Sequence, residues 1–311
     1  MSHTKPSLSI QEVNTVLQRH FGSEVSHIMA NEGGNFSSVF FFEWANEPYV
    51  IRLNSSKESF LQEETISNLL SSQELPYPKV CGIGEERHFS YCISERKLGI
   101  VLADLQAEQK MAVVPDLVHV ISKMNQVQLG QTTGYGPVID GKNGQYADWE
   151  SFVAASFAEN QEGTFWENWH ELFQTTCLER DVFEEIYSRL LAFCSYNAAH
   201  RHFVHNDCHE WNIISDGSSI TGIIDAGFIY GDFMIDIATI EEAIPGIDLG
   251  EAFRVHYEHI GKPIENFKER LIGARYFKGL DGLRFFAKMG WDHAYIELRD
   301  KLLSLPKRVK P

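Results

Sequence analysis

VHNDCHEWNII, residues 204–214, decides how the chain is read. His205, Asp207 and Asn212 have the spacing H-x-D-x-x-x-x-N, and the apolar run TGIID that follows ends in another acidic residue, Asp225. Phosphoryl transfer accounts for this spacing. One carboxylate must orient an attacking hydroxyl and take its proton, which suits Asp207. Oxygen ligands must hold magnesium against the phosphates, which suits Asn212 and Asp225. A loop that leaves one short strand at Asp207 and enters another at Asn212 can aim both side chains one way, with Asp225 arriving from the adjoining hairpin. His205 is expected to fix the loop as a structural residue.

Taken singly, these are ordinary polar residues of a surface hairpin; together, with these apolar flanks, they seldom arise by chance. Two other chemistries fit some of the same letters. His205, Asp207 and His209 also spell H-x-D-x-H, which on a strand would point three ligands to one face, as in a metal-dependent hydrolase. That alternative leaves Asn212 and Asp225 without a role, and no second cluster of ligand spacing occurs elsewhere in the chain. Cys208 could be a nucleophile, but it cannot reach the ring of its neighbour His209 in the usual way, and a buried thiol is the commoner fate.

Outward from this segment, the chain divides by pattern. Ser9 and Glu12 form a capping-box signature ahead of apolar residues at helical spacing, Ile10, Val13, Val16, Leu17 and Phe21. Residues 25–29, 38–44 and 49–53 are short apolar or alternating runs separated by the turn compositions NEGGN and ANEP, so three consecutive antiparallel strands are expected. Residues 57–72 are helix-like, the prolines of LPYP stop them, and VCGIG and FSYCISE supply two more strands. From about residue 102 the pattern becomes long amphipathic stretches, interrupted at 203–225 by small strands. No repeat or flexible linker separates the halves, so two lobes of one enzyme are expected, 1–95 and 96–311, with a hinge at SERKLG, residues 94–99.

Composition narrows the partners. The 311 residues carry a formal charge of −16, which argues against nucleic acid as a partner, because a phosphate backbone needs clustered Lys and Arg; a cationic small ligand suits the field better. Five cysteines, never spaced C-x-x-C, fit free thiols in a reducing compartment. The start of the chain lacks a secretory signal and no apolar run approaches the ~20 residues of a membrane span. A cytoplasmic protein with no membrane association and no obligate protein partner is expected.

VHNDCHEWNII and IIDAGFIYGDFMIDIA resemble the two signature segments of the aminoglycoside phosphotransferase family, relatives of the protein kinases. YVIRLN, LPYPKV, YCISERKLGIVLADL and TTGYGPVIDGKNGQYADW resemble, in the same order, stretches of its hygromycin B phosphotransferase branch, so the likeness runs from roughly Met29 to Ala238. The resemblance implies an α+β, protein-kinase-like two-lobed fold, with a small antiparallel sheet and one helix in a nucleotide-binding N-terminal lobe and a larger helical lobe for catalysis and acceptor. It implies ATP or GTP and Mg2+ as cofactors and transfer of the γ-phosphate to a hydroxyl of an aminoglycoside or aminocyclitol, giving antibiotic resistance. Another hydroxylated metabolite (an amino alcohol, a sugar or a macrolide) and a nucleotide-binding pseudokinase-like regulator remain open.

The other candidate residues follow from what such a site needs. Gly33, Gly34, Ser37 and Ser38 in EGGNFSSVFFF are small residues between strands that let backbone approach a triphosphate, although Gly-Gly is also a common hairpin turn. Arg52 stands where kinases carry a phosphate-binding lysine, and it can pair with Glu63 or Glu64, whose helical phase the sequence does not fix. Ser94 and Glu95 are expected to offer backbone groups to the nucleotide base. Ala226 replaces the large aromatic residue that often follows the metal-binding aspartate, while Gly227 is kept for the turn. Asp232 and Asp236 fit the trailing G-D-x-x-x-D pattern and are expected to brace the catalytic loop and a helix start. Glu241, Glu242, Asp281 and Trp291, in the helical end, are the candidates for contacting a cationic acceptor.

Overall fold

A computed structural model describes residues 6–31, 37–55, 57–86, 88–138 and 141–307. In chain order the first elements are α1 (Ile10–Phe21), β1 (Ser26–Asn31), β2 (Ser38–Trp44), β3 (Glu47–Asn54), α2 (Glu58–Ser71), β4 (Val80–Glu86), β5 (Phe89–Glu95) and β6 (Ile100–Val101). Next come α3 (Ala107–Asn125), β7 (Tyr135–Val138), β8 (Gly144–Tyr146), α4 (Trp149–Ser156), α5 (Leu172–Thr175) and α6 (Arg180–Asn197). The remainder is β9 (His202–Val204), β10 (Ile213–Ser215), β11 (Ile220–Ile223), β12 (Ile229–Gly231), α7 (Met234–Ile240), α8 (Leu249–His259), α9 (Phe267–Met289) and α10 (Asp292–Ser304). Among the described residues no helix is long and apolar enough to cross a membrane.

The elements form two compact units: Met1–Leu105 with Asn212–Ala226, and Gln106–Trp211 with Gly227–Pro311. The division falls after Leu105, not at the expected 95/96, and Asn212–Ala226 goes with the first unit although the sequence pattern places it in the helical half. Hydrogen bonding explains the regrouping. β10 pairs with β6, and Ile223 N–H donates to Pro76 O at 2.9 Å. The expected hinge, 94–99, lies inside the first unit, where the Thr221 hydroxyl donates to Leu98 O at 2.6 Å.

In the first unit an antiparallel sheet runs in the order β1-β2-β3-β5-β4. The β2–β3 hairpin closes on Ala45 and Asn46, both left-handed (φ 52° and 66°), as a two-residue turn that follows strand twist requires. The Ser9–Glu12 capping box is formed, and α1 ends on Gly22 at φ 65°, whose N–H donates to Gln18 O. Val13, Val16 and Leu17 of α1 then pack with Phe40, Phe42, Ile51, Leu53 and Ile93 of the sheet in one apolar core. Because successive strand residues alternate faces, burying Ile51 and Leu53 there sends Arg52 to the other face.

In the second unit a small sheet, β8-β7-β12-β9, accompanies the helices. Its centre is aromatic: Phe203 stacks on Phe228 at 4.8 Å, and Trp149, Phe152 and Phe277 lie 5.4–5.6 Å from one another. The ends of β9 and β12 thereby hold fixed positions for the loops that carry the polar residues.

Candidate active site

The first unit carries an ion-pair cluster built on Arg52. Arg52 on β3 uses its two terminal nitrogens separately, one on Glu63 Oε1 at 2.7 Å and the other on Asp225 Oδ1 at 2.7 Å. Helical phase, which the sequence did not fix, thus selects Glu63 over Glu64. Burial opposes the charge on Arg52, but the Glu63 and Asp225 carboxylates outweigh it and hold its pKa above the ordinary arginine value. Tyr77, buried between the two prolines of LPYP, ties the group together, since its hydroxyl donates to Glu63 Oε1 (3.3 Å) and accepts from Ala226 N–H (3.4 Å). Burial pushes the Tyr77 hydroxyl well above its usual range, so it remains a donor.

Asp225 is reached by the β10–β11 hairpin, and Ile224 N–H donates to Asn212 O at 3.0 Å, which ties the two proposed metal ligands through backbone. Asp225 itself has φ 57°, a left-handed conformation that costs an L-residue about 1–2 kcal/mol. The turn therefore rests on Asp225 and not on Gly227, where an added Cβ would make only ordinary contacts at 3.6 Å or more. Arg52→Ala should lower stability by about 3 kcal/mol, because it leaves Glu63 buried without its cation. Arg52→Lys should lose less, since one ammonium still neutralises Glu63 but cannot span both carboxylates. Thermal denaturation of the two variants ranks these losses.

The second unit carries the carboxylate loop that leaves β9. Asp236 has no exposed surface, and it accepts from His205 N–H (2.9 Å), Asn206 N–H (2.9 Å) and the Asn125 side-chain amide (3.1 Å). Asn206 sits in the left-handed region (φ 65°), which asparagine tolerates better than most residues, and its carbonyl accepts from Lys278 Nζ at 2.7 Å. Asp207 N–H then donates to His205 Nδ1 at 3.3 Å, so the fully buried His205 holds the loop from below. The Asp207 side chain stays about half exposed (51%), with His209 Nε2 3.4 Å from its Oδ2. Burial alone would raise the Asp207 pKa, but the His209 contact, with Lys278 and His205 nearby, outweighs it and holds the carboxyl below the usual range.

Asp236 is pushed the other way, up to about 7, chiefly by burial. A carboxyl raised in the folded state contributes stability that is present below its unfolded value of 3.8 and is lost as pH rises towards 7. Asp236→Asn removes this titration. Its unfolding free energy relative to the unsubstituted protein should improve by about 1–3 kcal/mol between pH 5 and pH 8, even though the variant gives up one acceptor for the loop amides. Urea titrations at the two pH values measure the difference.

Asp232, also without exposed surface, pairs bidentately with Arg270 (2.7 and 2.9 Å) and accepts from Asn197 Nδ2 (2.8 Å) and from Met234 N–H (3.1 Å) at the start of α7. The remaining candidates are dispersed. Ser37 Oγ accepts from Asn54 Nδ2 at 3.3 Å, and the Ser38 hydroxyl donates to Pro6 O; Gly33 and Gly34 lie outside the described residues. Ser94 is buried in β5, and Glu95 accepts from Lys79 N–H and Lys97 Nζ. Glu241 is buried in a forked pair with Arg275, Glu242 pairs with Lys301, and Asp281 pairs with Arg284, so these acceptor candidates already face cations. Trp291 is about half exposed beside Phe285 and Phe286.

Neither alternative chemistry finds its geometry. Among the described residues no three His, Cys, Asp or Glu side chains converge to hold a metal ion by themselves, and Cys208 is fully buried with its thiol pushed well above the usual range, hence protonated. The sequence reading missed Tyr77, Asn125, Lys278 and the orientation of His209. None of these carries a local signal; Lys278 lies within α9 near two other charged residues, Arg275 and Asp281.

Known proteins resemble this chain in sequence and fold. The Escherichia coli hygromycin-B 4-O-kinase is 29% identical over 238 residues, covering 76% of this chain and 67% of that protein. A thermostable mutant of the aminoglycoside phosphotransferase APH(4)-Ia, solved as a ternary complex with AMP-PNP and hygromycin B, superposes with a TM-score of 0.77 at 27% identity, over 94% of this chain and 97% of that one. Another structure of APH(4)-Ia gives a TM-score of 0.78 at 25% identity, covering 95% and 98%. These likenesses carry the α+β, protein-kinase-like fold expected from the motifs. Residues 27–266 match the profile of the phosphotransferase enzyme family, and with more than half of the chain matched, this protein belongs to that family, as a phosphotransferase with an alcohol group as acceptor.

Proposed function

We propose that the chain transfers the γ-phosphate of ATP or GTP to a hydroxyl of an aminoglycoside or aminocyclitol antibiotic of the hygromycin B type, and so confers resistance. The observation that carries this proposal is the state of Asp207: a half-exposed carboxylate, kept anionic, on a loop whose backbone amides are pinned by the buried Asp236. Such a group can orient a hydroxyl and take its proton at neutral pH. The new bond joins the acceptor oxygen to the γ-phosphorus, the bond from that phosphorus to the nucleoside diphosphate breaks, and the acceptor proton passes to Asp207 and then to solvent.

The donor types at Asn212 and Asp225 are hard oxygens, which suit Mg2+, an ion that completes its octahedron with water and substrate phosphates instead of a full protein cage. When bound there, magnesium would neutralise phosphate charge. Arg52 keeps Asp225 in place and adds its own positive charge for phosphate oxygens, while Glu63 and Tyr77 hold Arg52. The net charge of −16 favours a polycationic acceptor over an anionic one.

Acceptor choice is tested by incubating the protein with Mg-ATP or Mg-GTP and hygromycin B, other aminoglycosides, amino alcohols, sugars or macrolides, and comparing kcat/KM from the phosphate mass increment. A value for hygromycin B or another aminocyclitol at least tenfold above the rest is expected. Preference for a neutral sugar or a simple amino alcohol would move the chain to a metabolic role, and nucleotide binding without any transfer would leave a pseudokinase-like regulator.

A further inference from the structure

We infer that His209 is a positioning residue for Asp207, holding the carboxylate through an imidazole whose tautomer is fixed by the backbone of its own loop. Trp211 N–H points at His209 Nδ1 from 3.2 Å. A backbone amide can only donate, so Nδ1 must present its lone pair, and the proton of the neutral ring must sit on Nε2. Nε2 is the atom that faces Asp207 Oδ2, at 3.4 Å. His209 N–H also donates to Asp207 O at 3.0 Å, so residues 207–211 form a closed local circuit in which one turn sets both the ring and the carboxylate. Lys278 and His205 are the other cationic or ionisable groups near Asp207, and Glu210 and Lys278 flank the ring.

The circuit has a chemical consequence. Protonating the ring would place an Nδ1–H against the Trp211 N–H, donor against donor. The Trp211 amide thus opposes the imidazolium while the hydrogen bond to Asp207 raises the His209 pKa, and in its neutral form the ring orients Asp207 through Nε2–H without cancelling the charge that the acceptor proton seeks. His209 neither gains nor loses a proton in the reaction.

This inference rests on the assignment of Asp207 as the group that receives the acceptor proton, and two measurements separate the two ideas. In protein labelled with 15N histidine, two-bond 1H–15N correlations near pH 7.5 should show His209 with a bare Nδ1 and a protonated Nε2, identified by its loss in His209→Ala. In steady-state assays His209→Ala should lower kcat roughly 10- to 100-fold, the penalty of a carboxylate free to leave its productive geometry, with the nucleotide KM within about twofold. His209→Gln, whose side-chain amide can donate from near the Nε2 position, should recover most of that loss. An Nδ1–H or imidazolium ring, or a His209→Ala enzyme with unchanged kcat, overturns the inference while leaving the kinase proposal intact. An unsubstituted protein that phosphorylates nothing in the panel overturns the kinase proposal and the role of His209 with it.

Discussion

Asp207→Asn should reduce phosphate transfer by about 10³-fold, inside the 10²–10⁴ range for loss of a general base, while nucleotide affinity measured by calorimetry changes little. Asparagine keeps the size of the side chain and can still accept one hydrogen bond, but it cannot take the acceptor proton. The loop should not collapse, because its shape is set elsewhere: Asp236 holds the amides of residues 205 and 206, and Lys278 holds the Asn206 carbonyl. A variant with native thermal stability and near-complete loss of kcat separates chemistry from folding. Retention of more than a tenth of kcat would mean that the acceptor loses its proton without Asp207.

The largest stability effect should come from a residue that takes no part in the chemistry. Asp232→Ala removes the carboxylate that neutralises Arg270, and the guanidinium is left 3% exposed with no countercharge. Removing one partner of a buried pair costs about 3–5 kcal/mol, which for a chain of this size corresponds to a fall in Tm of roughly 5–15 °C. The Asn197 amide and the first turn of α7 lose an acceptor in the same step. Replacing both partners with apolar side chains, Asp232→Leu with Arg270→Met, should recover part of the loss, because no unpaired charge remains. Scanning calorimetry of the single and double variants gives the comparison. A single variant within 1 °C of the parent would show that water reaches Arg270.

Much of this architecture was legible in the letters because local rules and tertiary packing agree. The Ser9–Glu12 capping box, the β2 bounds at Ser38 and Trp44, and α2 between Lys57 and the LPYP prolines follow from capping, alternation and proline geometry. The spacing of Asp207, Asn212 and Asp225 gave the reaction class, since phosphoryl transfer asks for few residue types in a tight order.

What escaped the sequence depends on long-range partners. Helical phase alone separates Glu63 from Glu64, and the choice follows from where β3 places Arg52. Tyr77 looked like part of a helix stop, and nothing local marks a hydroxyl that bridges Glu63 and Ala226. The grouping of Asn212–Ala226 with the first unit depends on pairing between β10 and β6, more than a hundred residues apart. Arg275, which pairs with Glu241, lies 34 residues further along the chain on α9, so nothing local announces the pair.

The central claim is that one phosphate leaves the nucleotide and appears on an alcohol of the acceptor. Phosphorus NMR of a single reaction containing the protein, Mg-ATP and hygromycin B follows both products at once. A phosphomonoester resonance growing in step with ADP, and absent with Asp207→Asn, is the predicted result; ADP accompanied only by inorganic phosphate, or no nucleotide turnover at all, would contradict it.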